Sequence, residues 1–292
     1  MNRPDFKKAS EMRTGLLSRD KALKEIIDSE ALLSNEAFLS LGSLRDEISL
    51  NTLNNTPLSA LNAKKQGIRI SALSQAGYNS IGDLTHLSLS EIDSIKGIGT
   101  GSASLIFNTI REIEKTVYEN SRIRLSASSK TAGALSLVSS LYKIIHTESI
   151  RKSSALLYHE KHRSIEDTVS ASSCIGNTFF WIFSGKEKKA KTVDGIRRLS
   201  DLYAGDFIPH ADRLINDYNS VIRVSGNDAW NDFLLRSAFY YTALENLTEK
   251  YAGADEITEI HDRIRSDVPE ELADEIDKYE LKLDGMKTAL RS

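Results

Sequence analysis

The stretch from Ser90 to Val117 reads SEIDSIKGIGTGSASLIFNTIREIEKTV, and its glycines decide how this part of the chain folds. Ser90 is a candidate helix cap ahead of the apolar positions Ile92 and Ile95. Lys96, Gly97, Ile98 and Gly99 then interrupt the helical period, which resumes with Ala103, Ile106, Phe107, Ile110, Ile113 and Val117 on one face. Two helices meeting at a glycine turn are expected. Glycine adopts backbone angles that other residues resist and leaves no side chain over the turn. The first turn of the second helix then presents the unpaired backbone amides of Thr100, Gly101 and Ser102, an arrangement suited to a phosphate.

Working outward, the segment from Leu58 to Arg124 reads as one compact unit. Leu73, Ala76, Gly77, Tyr78, Asn79, Ile81 and Leu84 repeat the helix, glycine, helix order in a degenerate form. With Ile95, the Gly97-Ile98-Gly99 triplet, Ala103 and Ile106, this stretch resembles the tandem helix-hairpin-helix family, as found in the C-terminal domain of the RNA polymerase α subunit and the N-terminal domain of RecA-like recombinases. The resemblance covers Leu58 to Arg124 only. It implies a small helical fold that grips DNA by the sugar-phosphate backbone without reading bases. Carried over residue by residue, it assigns backbone binding to Lys96, Gly97, Ile98, Gly99, Thr100, Gly101 and Ser102, and to Gly77, Tyr78 and Asn79 of the first hairpin. The family places a cation near the start of the second helix. Here Thr100, Gly101 and Ser102 supply none, so Lys96, with Lys64, Lys65 and Arg69 upstream, is the candidate substitute. The segment holds eight basic and six acidic residues, a modest excess given that phosphate contacts carry most of such affinity.

Other readings of these glycines fail on context. A dinucleotide-binding loop follows a β-strand, and the residues before Gly97 have helical spacing. The base-excision glycosylases that share the hairpin add a lysine beside it and an aspartate some twenty residues later. Gly101, Ser102 and Val117 to Glu119 supply neither, so no catalytic residue is assigned and a non-enzymatic protein is expected.

The 292 residues carry 38 basic and 41 acidic side chains, a net charge of -3, which excludes a uniformly basic nucleic-acid coat. One cysteine, Cys174, excludes a disulfide framework and a cysteine-rich zinc module, and fits a reducing, cytoplasmic setting. The longest uniformly apolar run, Phe179 to Phe183, is too short to span a bilayer, and Met1 to Ser18 lacks a signal core. No membrane association is expected. Valine is scarce and the four prolines fall between periodic segments, so the fold is expected to be all-α.

Three parts are anticipated: an N-terminal helical segment over 1–57 made of two or three amphipathic helices, the hairpin unit over 58–124, and a C-terminal helical domain over 125–292. The last 42 residues hold twelve acidic and six basic side chains and keep a helical apolar period through Leu272, Ile276, Tyr279, Leu283 and Met286. They read as an acidic amphipathic helix for a protein partner. His159 and His162 share a helix face, but their three-residue step is better explained as a solvated surface than as half a metal site, and no metal or cofactor is expected. Phe179 to Phe183, followed by Lys186, Lys188, Lys189, Lys191, Arg197 and Arg198, offers two readings. One is a nucleic-acid surface of aromatics and cations. The other, preferred, is a buried anchor before an exposed basic loop. The combined expectation is a DNA-backbone-binding adaptor of a repair, recombination, replication or defence complex. The alternatives are an assembly subunit using the hairpins for protein contact, or an accessory part of a helicase or nuclease.

Overall fold

A computed structural model describes residues 5–121, 123, 125–172 and 178–251, with the side chains of 178–180 and 249–251 outside the description. The chain is all-α over these residues; apart from helices and turns there is one isolated antiparallel bridge, Pro57 to Ser80. The acidic segment 252–292 and Cys174 lie outside the described residues.

The helices are α1 (Phe6–Asn54), α2 (Ile70–Gln75), α3 (Leu89–Asp93), α4 (Thr100–Asn120), α5 (Ala132–Ala171), α6 (Thr178–Phe183), α7 (Lys186–Ala204), α8 (Phe207–Ile222), α9 (Gly226–Leu235) and α10 (Ser237–Tyr251). Short 3-10 turns occupy Leu58–Asn62 and Gly82–Leu84. The N-terminal segment is one helix of 49 residues, where the apolar period suggested two or three. Its polar interruptions, such as Ser18 to Lys21, weaken the apolar signal without containing a proline that would break a helix. The buried serines Ser29 and Ser49 are absorbed by its own carbonyls, donating to Ile26 O at 2.7 Å and Arg45 O at 2.8 Å.

The chain divides into two compact units that do not follow chain order. One combines residues 1–36 with 138–243. Its core joins Ala9, Met12, Leu16 and Leu23 of α1 to Leu157 and Ile165 of α5, Leu199 of α7, and Phe207, Ala211 and Leu214 of α8. Arg19 clamps α8 through two 2.8 Å bonds to the Asp212 carboxylate. Gly195 lets α7 approach the end of α5, since a Cβ there would lie 3.2 Å from the Ala171 carbonyl. Elsewhere in this unit Asp232 accepts from Tyr240 at 2.8 Å and pairs with His146 at 3.0 Å. Burial works against the Asp232 charge, but the hydrogen bonds from His146 and Tyr240 hold its carboxyl below the ordinary aspartate value.

His162, one of the two histidines singled out by spacing, lies against Asp20 (2.8 Å) and Glu166 (3.4 Å) and stacks on Tyr158, whereas His159 is exposed. Among the described residues no group of three or more histidine, cysteine or acidic side chains is arranged to hold a metal. Nor, among them, is any helix long and apolar enough to cross a membrane. The expectation that Phe179 to Phe183 is a buried anchor fails at its end: Trp181 is half-buried, but Ile182 is 59% and Phe183 82% exposed, and the side chains of Phe179 and Phe180 lie outside the described residues.

The other unit combines residues 37–137 with 244–292. One core cluster in it runs from Leu53, Leu58 and Leu61 through Leu73, Ile81, Leu84, Ile92, Ile95 and Ile98 to Ala103, Ile106 and Ile110, so both glycine turns share one apolar interior.

Candidate nucleic-acid interface

The two turns of this interior have the same plan and opposite endings. After α2, Gly77 takes a φ of +97°, the left-handed region where glycine carries no Cβ penalty. The Tyr78 amide donates to Leu73 O at 3.2 Å, closing the helix end. Tyr78 itself is partly buried against the core. The chain then re-enters a helical turn at Ser80 and caps itself. The Asp83 carboxylate accepts from the amides of Asn79 (2.7 Å) and Ser80 (3.0 Å), while Ser80 Oγ accepts from the Asp83 amide (3.2 Å). Those two amides hold the Asp83 carboxyl below its ordinary value. An anion already belonging to the chain occupies the amides of the first hairpin.

The second turn begins from α3, which is capped by Ser88 rather than by Ser90. Ser88 and Glu91 form a reciprocal capping box, with the Ser88 amide donating to Glu91 Oε2 at 2.7 Å and the Glu91 amide to Ser88 Oγ at 3.3 Å. The choice follows from burial. With Ser88 as cap, the preceding Leu87 and the following Ile92 both enter the core and staple the helix start; with Ser90, that preceding place would fall to Leu89, which is 41% exposed. After α3 the Ile98 amide donates to Ile95 O at 3.0 Å, and Gly97 takes a φ of +92°.

Gly99 then caps α4 with φ −99° and ψ 164°, and among the described residues no side chain bonds to the amides of Thr100, Gly101 and Ser102 behind it. Thr100, Gly101 and Ser102 are exposed, whereas Ala103 is fully buried and fixes the helix onto the core. A Cβ built on Gly99 or on Gly101 would meet nothing within 4 Å. The start of α4 therefore combines a positive dipole end, unclaimed donors and open space above them.

The cations divide. Lys96 is exposed in the turn itself. A Cβ on Gly97 would lie 3.7 Å from Ala72 Cβ, so the second turn rests on α2, and Arg69, three residues before Ala72, is the exposed cap residue at the start of that helix. Lys64 and Lys65 go elsewhere. Lys64 forms an ion pair with Glu112, and the neighbouring Gln66 accepts from Thr109. Asn62 pins this loop by bonding both ways to Ile68, at 2.7 and 2.8 Å. At 1.5 Å per residue, positions 109 to 112 lie about 14 to 18 Å along α4 from Thr100. The structure thus gathers Lys96, Gly97, Ile98, Gly99, Thr100, Gly101 and Ser102 at one turn, with the Ile98 side chain in the core, and leaves Lys64, with Lys65 next to it in the loop, at the middle of α4. Gly77, Tyr78 and Asn79 form the first turn, where the Gly77 and Tyr78 amides close the end of α2 and the Asn79 amide is spent on Asp83. The Ser80 to Asp83 spacing was the visible signal for that self-capping.

No protein-family model, curated protein or solved structure matches the chain.

Proposed function

We propose that residues 58–124 act as a tandem helix-hairpin-helix unit that holds DNA through its backbone, and that the protein is a non-enzymatic, cytoplasmic adaptor in a DNA-processing complex. One observation carries this reading: the positive-φ turn at Gly97 delivers the amides of α4 to the surface with no side-chain cap and with clear space at Gly99 and Gly101. A phosphate oxygen placed there takes hydrogen bonds from backbone groups that carry no information about base sequence. Lys96 and Arg69 supply the nearby charge. The C-terminal helical region, 125–292, is assigned to a protein partner.

The shortage of cations at the start of α4 favours a second reading, in which the hairpins pack against protein in an assembly. Fluorescence anisotropy on unrelated duplexes over a salt series separates the two. DNA binding through phosphates weakens with salt with a slope of about −0.9 per phosphate contacted. The Gly101→Asp variant should lose affinity by a similar factor on every duplex, because its carboxylate takes the place of the phosphate, while Lys64→Ala should keep most of it. Absence of duplex binding by the parent gives first place to the assembly subunit.

A further inference from the structure

The unit built from residues 1–36 and 138–243 carries an exposed feature that the hairpins do not explain. Helix α6 ends in Trp181, Ile182 and Phe183, and α7 begins three residues later with Lys186, Lys188, Lys189 and Lys191. Helix α7 is anchored by its opposite side: Thr192, Gly195 and Leu199 are buried, with Gly195 tight against α5. Its lysine-rich first turns therefore stay at the surface. Trp181 is held in place, with Phe6 edge-on at 5.6 Å and the Lys189 ammonium 5.6 Å from its ring. Phe183 projects beyond it, 82% exposed.

Charge identifies the kind of partner. From Trp181 to Arg198 there are six basic and two acidic residues, a local +4 in a chain of net −3. Glu187 is engaged by Lys191 at 2.9 Å, and Asp194 by Arg198 at 2.7 Å. Lys186, three residues after Phe183, is exposed. A polyanion with free aromatic faces matches this combination, since each base can stack on a ring while the phosphates meet the lysines. A duplex offers no free base face. A lipid surface fits less well, because Ile196, Leu199 and Leu202 of α7 pack in the core and, among the described side chains of α6, Ile182 and Phe183 alone are exposed, whereas stable anchoring needs a larger apolar signal.

We infer that Phe183 and the lysines opening α7 form a binding surface for single-stranded nucleic acid, in which Phe183 stacks a base and Lys186, Lys188 and Lys189 take the flanking phosphates. This surface is independent of the hairpin reading.

The test uses the full chain carrying Gly99→Asp, which disables the hairpin amides, and a fluorescein-labelled oligothymidylate of about 30 nucleotides. Binding should persist in this background. Phe183→Ala should weaken it by about 5- to 150-fold, the range of one base–aromatic stack. Phe183→Leu, which keeps apolar bulk without a π face, should lose nearly as much. Replacing Lys186 and Lys188 by glutamine should flatten the salt slope by about 0.7 per lysine. Because the ring is exposed, all variants should melt with the Gly99→Asp chain that carries them. Failure of the protein to bind the oligonucleotide overturns the inference. So does parental affinity in Phe183→Ala or Phe183→Leu, or Phe183-dependent sedimentation with phosphatidylserine vesicles alongside unchanged oligonucleotide binding.

Discussion

Replacing Gly99 by aspartate should make the protein more stable and a poorer DNA binder at once. The backbone at this position, φ −99° and ψ 164°, is the extended conformation of a helix cap, and the new Cβ would meet nothing within 4 Å. Aspartate caps a helix somewhat better than glycine, by a few tenths of a kcal/mol, and its charge at the dipole end adds roughly 0.3 to 1 kcal/mol. The net gain is about 0.5 to 1 kcal/mol. The same carboxylate would claim the amides of Gly101 or Ser102, as Asp83 already claims those of Asn79 and Ser80. Against a phosphate about 5 Å away, its repulsion amounts to roughly 1 to 3 kcal/mol for an effective dielectric constant between that of water and that of a protein surface. Affinity should therefore fall about 5- to 150-fold, and the salt slope should become shallower by about 0.9 as one phosphate contact is lost. Circular dichroism melting and anisotropy on two unrelated duplexes measure the two effects. A variant that melts higher yet keeps the parental affinity and salt slope would show that the α4 amides do not touch DNA.

Two further outcomes follow from the geometry. Gly97→Ala forces a Cβ onto a residue at φ +92° and should destabilise the hairpin unit by about 1 to 2 kcal/mol in chemical denaturation, whereas Gly101→Ala, in a helical turn with open space, should be neutral or stabilising. The carboxyl of Asp232 is held below its ordinary value, so its contribution to stability is complete above the unfolded value near 3.8 and declines as pH falls through the lower folded value. Melting between pH 7 and pH 2 should show a smaller acid loss in Asp232→Asn than in the parent; identical acid losses would mean that the His146 and Tyr240 bonds do not stabilise that charge.

The helices and both glycine turns were legible in the sequence. The break between Ile95 and Ala103 and the return of the apolar period through Ile106 and Ile110 are local signals, and α4 begins where they place it. The caps were legible only in part. Ser88 and Ser90 both precede an acidic residue by three positions, and the choice between them depended on whether Leu87 or Leu89 entered the core. The long α1 was misread as several helices because apolar periodicity reports which residues are buried, not where a helix stops.

Helix-forming composition, the left-handed glycines and the exposed start of α4 belong to the sequence by itself, because propensity, capping and backbone freedom act within one or two turns. Tertiary structure alone decided which charges accompany that helix start. Lys64 is tied to Glu112, 48 positions away, while the second turn meets α2 at Ala72, three residues past Arg69. It likewise decided that the five-residue apolar run ends in an exposed phenylalanine, since burial depends on which distant faces meet in the core, and there Leu199, Leu157 and Leu16 fill it.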